Sequence, residues 1–248
     1  MKDQLAIRFE RVSKSFDGMT VLDNVSFDVL RGQAFCILGR SGAGKSVTLR
    51  QMIGLQRPDS GKVFVHGENV GELNAKGLTR VRKQVGFLFQ YSALFDSISV
   101  GENVAFPLRR HTSMRETEIQ QRVVELLAQV GLEAHRHKNP SEVSGGMRKR
   151  VGLARALALN PSILLVDEPS SGLDPVTSQE IDELLLGLKQ RHGTTIVVVT
   201  HNIPSARRIG DVLAFLHEGR ILECGAPEQL QQSRQELVQR FMSIEGGT

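Results

Sequence analysis

Residues Gly39-Arg40-Ser41-Gly42-Ala43-Gly44-Lys45-Ser46 follow the spacing G-x-x-x-x-G-K-[ST]. The glycines let successive backbone N–H groups turn inward and approach phosphate oxygens closely, and a helix starting there adds positive potential. Lys45 can reach the outer phosphates, and Ser46 is placed to bind Mg2+. A cradle of this kind binds a polyphosphate without cleaving it. Cleavage also needs a carboxylate to anchor the metal and a group to orient water. Ile163-Leu164-Leu165-Val166-Asp167-Glu168 supplies both, as an apolar strand ending in two acids at the carboxyl edge of a parallel sheet. Asp167 is expected to hold Mg2+ through water, and Glu168 to orient and polarise the nucleophilic water. His201 ends the strand-like run Thr195–Thr200 and Gln90 ends Val85–Phe89, which brings both toward the same edge.

The elements that position these residues follow from hydrophobic period. Leu5, Ile7 and Phe9 alternate with Ala6, Arg8 and Glu10, and Val25, Phe27 and Val29 alternate with Ser26, Asp28 and Leu30, an antiparallel opening. The continuously apolar Ala34–Leu38 then runs into the glycine loop, and Leu49, Met52 and Ile53 share one face of the helix that follows. From Tyr91 to about Asn160 the period becomes helical, with Ile119, Val123, Leu126, Leu127 and Val130 on one stripe. Strands return at Ile163–Val166, Thr195–Val199 and Val212–Leu216, separated by a helix carrying Ile181, Leu184, Leu185 and Leu188. Val212–Leu216 and Arg220–Cys224 read as a hairpin, and from Pro227 a short helix pattern holds Leu230, Leu237 and Phe241. The expected division is a phosphate-binding core over 1–90 and 161–225, a helical insertion over 91–160 and a tail helix over 226–248.

Composition narrows the class. The 248 residues are 40% hydrophobic and 23% charged, enough apolar material for a sizeable core, which excludes disorder, collagen and coiled coil. No run approaches the ~18–20 apolar residues that span a bilayer. Met1-Lys2-Asp3-Gln4 carries no apolar signal region, so the expected location is cytosolic. Cys36 and Cys224 stand singly in apolar runs and read as buried free thiols. Lys and Arg number 31 against 27 Asp and Glu, a net charge of +4 that hints at an anionic partner. With no Trp, one Tyr and no aromatics among the basic triplets Arg148-Lys149-Arg150 and Arg80/Arg82/Lys83, a base-stacking surface has no support. Those charges read as solvated faces, with no nucleic acid expected.

The ordered set Gly39–Ser46, Gln90, Val143-Ser144-Gly145-Gly146-Met147, Leu164–Glu168, Ser171-Gly172-Leu173-Asp174 and His201 resembles the ATP-binding subunits of ABC transporters over about Leu5–Gly225. The resemblance implies an α/β P-loop (RecA-like) core with an N-terminal antiparallel β subdomain and an inserted α-helical subdomain. It also implies ATP and Mg2+ as cofactors. ATP would lie against Gly39–Ser46 and Val47 of one copy and Ser144, Gly145 and Gly146 of a second, in a head-to-tail homodimer. It assigns Phe16 to stacking on adenine, His201 to the γ-phosphate, Gln90 to sensing Mg2+ and contacting a membrane subunit, and Asp174 to communication across the dimer. Lys45, Gln90, Glu168 and His201 would be catalytic; Ser46, Gln90 and Asp167 would hold the metal. Phe16 stands where Tyr is frequent, and Met147 replaces the usual signature Gln and lacks its amide donors.

Ser-Gly-Gly-Met followed by Arg148-Lys149-Arg150 and Val151–Ala156, together with Leu88–Ser97 and Glu102–Arg109, is similar to ATPases of Mce-type (Mla-like) lipid transport. That likeness implies a bacterial inner-membrane complex with the ATPase on its cytoplasmic face. Its partners would be permease subunits, an Mce-domain substrate-binding protein and, in some systems, a small regulatory subunit; its cargo would be phospholipid or a related lipid. Exposed Leu94, Phe95 and Phe106 would suit a groove for a partner's short helix. Amino-acid import and lipoprotein extraction are the alternatives.

Overall fold

The computed structural model describes residues 4–243. Met1–Asp3 and 244–248, on which parts of the N-terminal and tail readings fall, lie outside the described residues.

β1 (Leu5–Phe16) and β2 (Met19–Leu30) form an antiparallel pair, extended by β4 (Ser60–Val65) and β5 (Glu68–Asn69) in the order β2-β1-β4-β5. A second sheet contains β3 (Ala34–Leu38), β6 (Val85–Leu88), β7 (Ile163–Asp167), β8 (Thr195–Thr200), β9 (Val212–His217) and β10 (Arg220–Gly225). Its order is β10-β9-β3-β8-β7-β6, parallel except for the β9–β10 hairpin at the edge.

The parallel sheet divides two cores by the period of its strands. Cys36 and Leu38 of β3, Leu164 and Val166 of β7, and Ile196 and Val198 of β8 point to the helical side. Phe35 and Ile37, Ile163 and Leu165, and Val197 and Val199 point the other way, into a core shared with the antiparallel sheet and α1 (Lys45–Met52). Burial on both faces is why these strands read as continuous apolar runs. Phe27 stacks between Phe9 and Phe35, with centroids 4.5 and 5.0 Å apart, and so joins the two sheets. In β2 the expected alternation holds, with Val25, Phe27 and Val29 buried. In β1 register shifts beside Leu5 and Phe9 bury Ala6 together with Ile7 and leave Leu5 only half-buried.

Beyond β6 the chain runs through α3 (Val100–His111), α4 (Glu116–Gln129) and α5 (Gly145–Ala156) before β7. Between β7 and β9 lie α6 (Pro175–His192) and α7 (Ile203–Ile209). α2 (Ala75–Lys83), which the sequence reading passed over, precedes β6 and carries Arg80, Arg82 and Lys83 on exposed positions.

Three expectations need correction. The tail forms two short helices, α8 (Pro227–Gln231) and α9 (Glu236–Met242), because Ser233 turns the chain between them and bonds Glu223 of β10. Cys36 is buried but Cys224 is exposed, since β10 is an edge strand with only one neighbour. Lys149 is not on a solvated face; it is 5% exposed.

Candidate functional site

α1 begins immediately after the glycine loop, and its first turn carries no acidic side chain to oppose an anion. Gly44 takes φ 101°, a conformation that L side chains resist. A Cβ at Gly39 would sit 2.3 Å from the Leu216 carbonyl oxygen of β9. Glycine is required at these positions by backbone shape and close approach respectively.

The loop opens onto a cleft of about 520 Å3 lined by Arg40, Ser41, Gly42, Gly44, Lys45, Ser46 and Val47, with Gln90, Glu168 and His201 across it and Val21 and Phe241 at its walls. Parallel β3, β7 and β8 lie side by side and deliver Lys45, Asp167, Glu168 and His201 at their carboxyl ends. Lys45 Nζ donates to the carbonyls of Gly39 (2.8 Å) and Arg40 (3.1 Å) and lies 3.3 Å from Glu168 Oε1. The other Glu168 oxygen is 2.9 Å from His201 Nδ1 and also receives the His201 backbone N–H. Glu168 itself has φ 47°, an uncommon conformation for a non-glycine residue. Its backbone N–H donates to the Val199 carbonyl of β8.

Ser46 Oγ donates to Asp167 Oδ1 at 2.9 Å. Burial pushes the Asp167 carboxyl above its ordinary pKa, and neighbouring Glu168 adds to the shift, while the Ser46 bond opposes it. A hydroxyl and a carboxylate side by side, with the Gln90 amide bordering the same cleft, suit Mg2+, which takes oxygen ligands and keeps water and substrate phosphates in its shell. Among the described residues no cluster of three or more His, Cys, Asp or Glu could hold a metal by itself, so phosphate oxygens would have to complete the shell. The arrangement offers a cation for phosphate, a pair of oxygens for metal and a carboxylate for water.

The remaining sequence-predicted residues lie elsewhere. Ser144, Gly145, Gly146, Asp174 and Phe16 do not line this cleft. Ser144 caps α5, its Oγ accepting the Met147 N–H at 3.2 Å. Asp174 caps α6, accepting from the Val176 and Thr177 N–H groups at 3.0 Å. The Phe16 ring is partly exposed and carries the Lys14 ammonium 5.2 Å from its centroid.

Three residues escaped the sequence reading, Val21 on the cleft wall being the simplest. Phe241 of α9 packs on Phe215 of β9, with centroids 4.7 Å apart, and forms a wall of the cleft; its apolar spacing signalled a helix but no destination. Lys149 of α5 donates through Nζ to the carbonyls of Gln90 and Glu168, where burial lowers its ammonium to about 8 against the pull of Asp167 and Glu168. It had been one of three consecutive basic residues, and nothing local set it apart.

A family model described as ABC transporter matches residues 22–171. The probable ribonucleotide transport ATP-binding protein mkl of Mycobacterium leprae (strain TN) is 42% identical over 239 residues, covering 96% of this chain and 69% of that protein. The methionine import ATP-binding protein MetN of Caulobacter vibrioides is 44% identical over 226 residues, covering 90% of this chain and 68% of that protein. Among solved structures, a dimeric post-hydrolysis state of an ATP-binding cassette bound to ADP and Pi superposes with a TM-score of 0.83 at 33% identity, covering 89% of this chain and 98% of that one. The cbiO1 protein of Clostridium perfringens, part of the ABC transporter complex cbiONQ, does so with a TM-score of 0.85 at 29% identity, covering 97% of this chain and 96% of that one. With the phosphate loop, the paired acids and the α/β cassette in one chain, these likenesses make it a member of the ABC transporter family, an ATP-hydrolysing subunit.

Proposed function

We propose that this ATPase drives a membrane transporter of phospholipid or a related lipid from the cytoplasmic face of a bacterial inner membrane. The observation that carries the motor reading is the division of the predicted site. Lys45, Ser46, Gln90, Glu168 and His201 border one cleft, Asp167 lies beneath Ser46, and Ser144–Gly146 stand outside that cleft at the start of α5. A second copy placed head to tail brings its Ser144–Gly146 against the γ-phosphate, so closure needs ATP and hydrolysis releases it. Lys45 then binds the outer phosphates, and Ser46, Asp167 and Gln90 would hold Mg2+, which would supply charge neutralisation on the phosphate oxygens. Glu168 orients water, His201 fixes the Glu168 carboxylate and meets the γ-phosphate, and Asp174 faces the second copy.

A groove of about 340 Å3 beside β6 supports docking of a permease helix. Phe89, Phe95, Phe106 and Pro107 are among its lining residues. Phe95 and Phe106 are both exposed and their rings lie 4.9 Å apart, whereas Leu94 is partly buried against the core. Buried Asn103 bonds both the N–H and the carbonyl of Phe95 and so fixes that rim. The lipid cargo, with an Mce-domain protein and in some systems a small regulatory subunit as partners, is supported by the Ser144-Gly145-Gly146-Met147 signature and the Leu88–Arg109 stretch. Amino-acid import is the second reading, favoured by the methionine-import relative.

Gentle affinity purification of the chain from its native membranes, with mass spectrometry of proteins and small molecules, tests the cargo. Recovery of a permease, an Mce-domain protein and enriched phospholipid is expected. A solute-binding protein without enriched lipid would leave the ATPase in place and overturn the lipid reading.

A further inference from the structure

The basic triplet after the signature splits three ways. Arg148 bonds the Val143 carbonyl within its own segment, and Arg150 pairs with Glu180 of α6. Lys149 alone of the three turns into the site, where its Nζ donates to the backbone carbonyl of Gln90 and, at 3.0 Å, to that of Glu168. Lys149 as a whole is only 5% exposed. Burying a charge is costly unless hydrogen bonds and opposite charges compensate it, and here the compensation comes from carbonyls of two distant loops and from the Asp167 and Glu168 carboxylates.

Glu168 makes the arrangement more than packing. Its left-handed backbone, unfavourable for a non-glycine residue, is held at both ends: the N–H by Val199, the carbonyl by Lys149 and the Ser171 N–H. Without Lys149 the Glu168 carbonyl would keep only the Ser171 N–H, and the backbone that sets where the Glu168 side chain stands would loosen.

We propose that Lys149 is a positioning residue that ties the helix opening with Ser144-Gly145-Gly146 to both the Gln90 loop and the Glu168 backbone, so that movement of α5 and readiness for hydrolysis are mechanically one event. This rests on the reading that sets Glu168 and Gln90 at the γ-phosphate. Lys149 does not touch nucleotide; it acts through the two residues it holds. Its loss therefore lowers turnover while leaving ATP affinity, which depends on the Gly39–Ser46 loop, nearly intact.

The test is steady-state ATP hydrolysis by the full chain, together with its membrane subunits, alongside equilibrium ATP binding and amide hydrogen exchange. Lys149→Met, which keeps most of the stem and removes the donors, is expected to lower kcat by about tenfold or more with ATP affinity within about threefold. Lys149→Arg, which keeps charge and donors, is expected to recover most of that loss. In Lys149→Met, exchange quickens at Gln90–Ser92 and at Glu168 and Ser170, but not at Val151–Ala154 in the middle of α5. Wild-type turnover in Lys149→Met overturns the proposal, as does equal loss in both variants with faster exchange throughout α5. Should Lys149→Met fail to fold, Lys149→Leu, which also has no donor, takes its place with the same expectations. Glu168→Gln separates this inference from the reading beneath it. If that variant also turns over normally, the assignment of Glu168 fails; if it is inactive while Lys149→Met is normal, only the Lys149 role fails.

Discussion

Lys45 Nζ and Glu168 Oε1 lie 3.3 Å apart, with both side chains less than a tenth exposed, so the cation of the phosphate loop and the first acid after β7 neutralise each other across the cleft. A polyphosphate entering the loop competes with Glu168 for that ammonium. Once Lys45 turns to phosphate, Glu168 keeps His201 on its second oxygen and has its first oxygen free for water. On the proposed roles, substrate binding and release of the base would be coupled through this one ion pair.

Glu168→Gln removes the charge that, on the proposed role, polarises water, while keeping the side chain's shape. ATP binding should persist and hydrolysis should slow by about two to four orders of magnitude. A stable ATP-dependent dimer should appear on size-exclusion chromatography. Turnover close to wild type in a phosphate-release assay would remove Glu168 from its role.

Lys45→Ala deletes the ammonium, and the phosphate loop then depends on backbone N–H groups alone. The kcat/KM for ATP should fall by about a hundredfold or more. Unchanged ATPase kinetics would sink the assignment of the Gly39–Ser46 loop. Ser46→Ala should leave turnover dependent on higher Mg2+, measured by titrating the metal back after chelation.

Phe241→Ala takes away one wall of the cleft and the ring packed on Phe215. The KM for ATP should rise by about threefold, the scale of one aromatic contact, with kcat little changed. An identical KM would make the wall incidental.

Acid should loosen the α3–α4 hairpin. Arg109 bonds Glu102 on its own helix and Glu116 on the next, and these bonds hold Glu116 down at about 2 and Glu102 below its usual value. A carboxylate with a depressed folded pKa contributes stability above its unfolded value of 4.5 and loses it as pH falls toward the folded value. Arg109→Met should therefore unfold at a lower temperature than wild type at pH 6, and the gap should narrow as pH drops below 4.5. These groups are largely exposed, so salt should shrink the gap as well. A gap that does not change with pH would assign the effect to packing.

What the sequence by itself determined is local chemistry. Gly39–Ser46 is contiguous, and its glycines, lysine and hydroxyl act within one loop and one helix turn. Ile163–Glu168 is likewise a strand and its terminal acids, legible because burial on both faces demands an unbroken apolar run. Alternation in β2 and helical spacing in α4 and α6 were readable because each element buries one periodic face. Where Lys149 and Phe241 went was decided only by the tertiary structure. Lys149 reaches Gln90 across 59 positions of chain, and Phe241 meets the cleft because α9 folds back on β9. The exposure of Cys224 depends in the same way on which strands lie at edges. Sheet order brings such residues together, and strand pairing is a choice among global alternatives that no local pattern encodes.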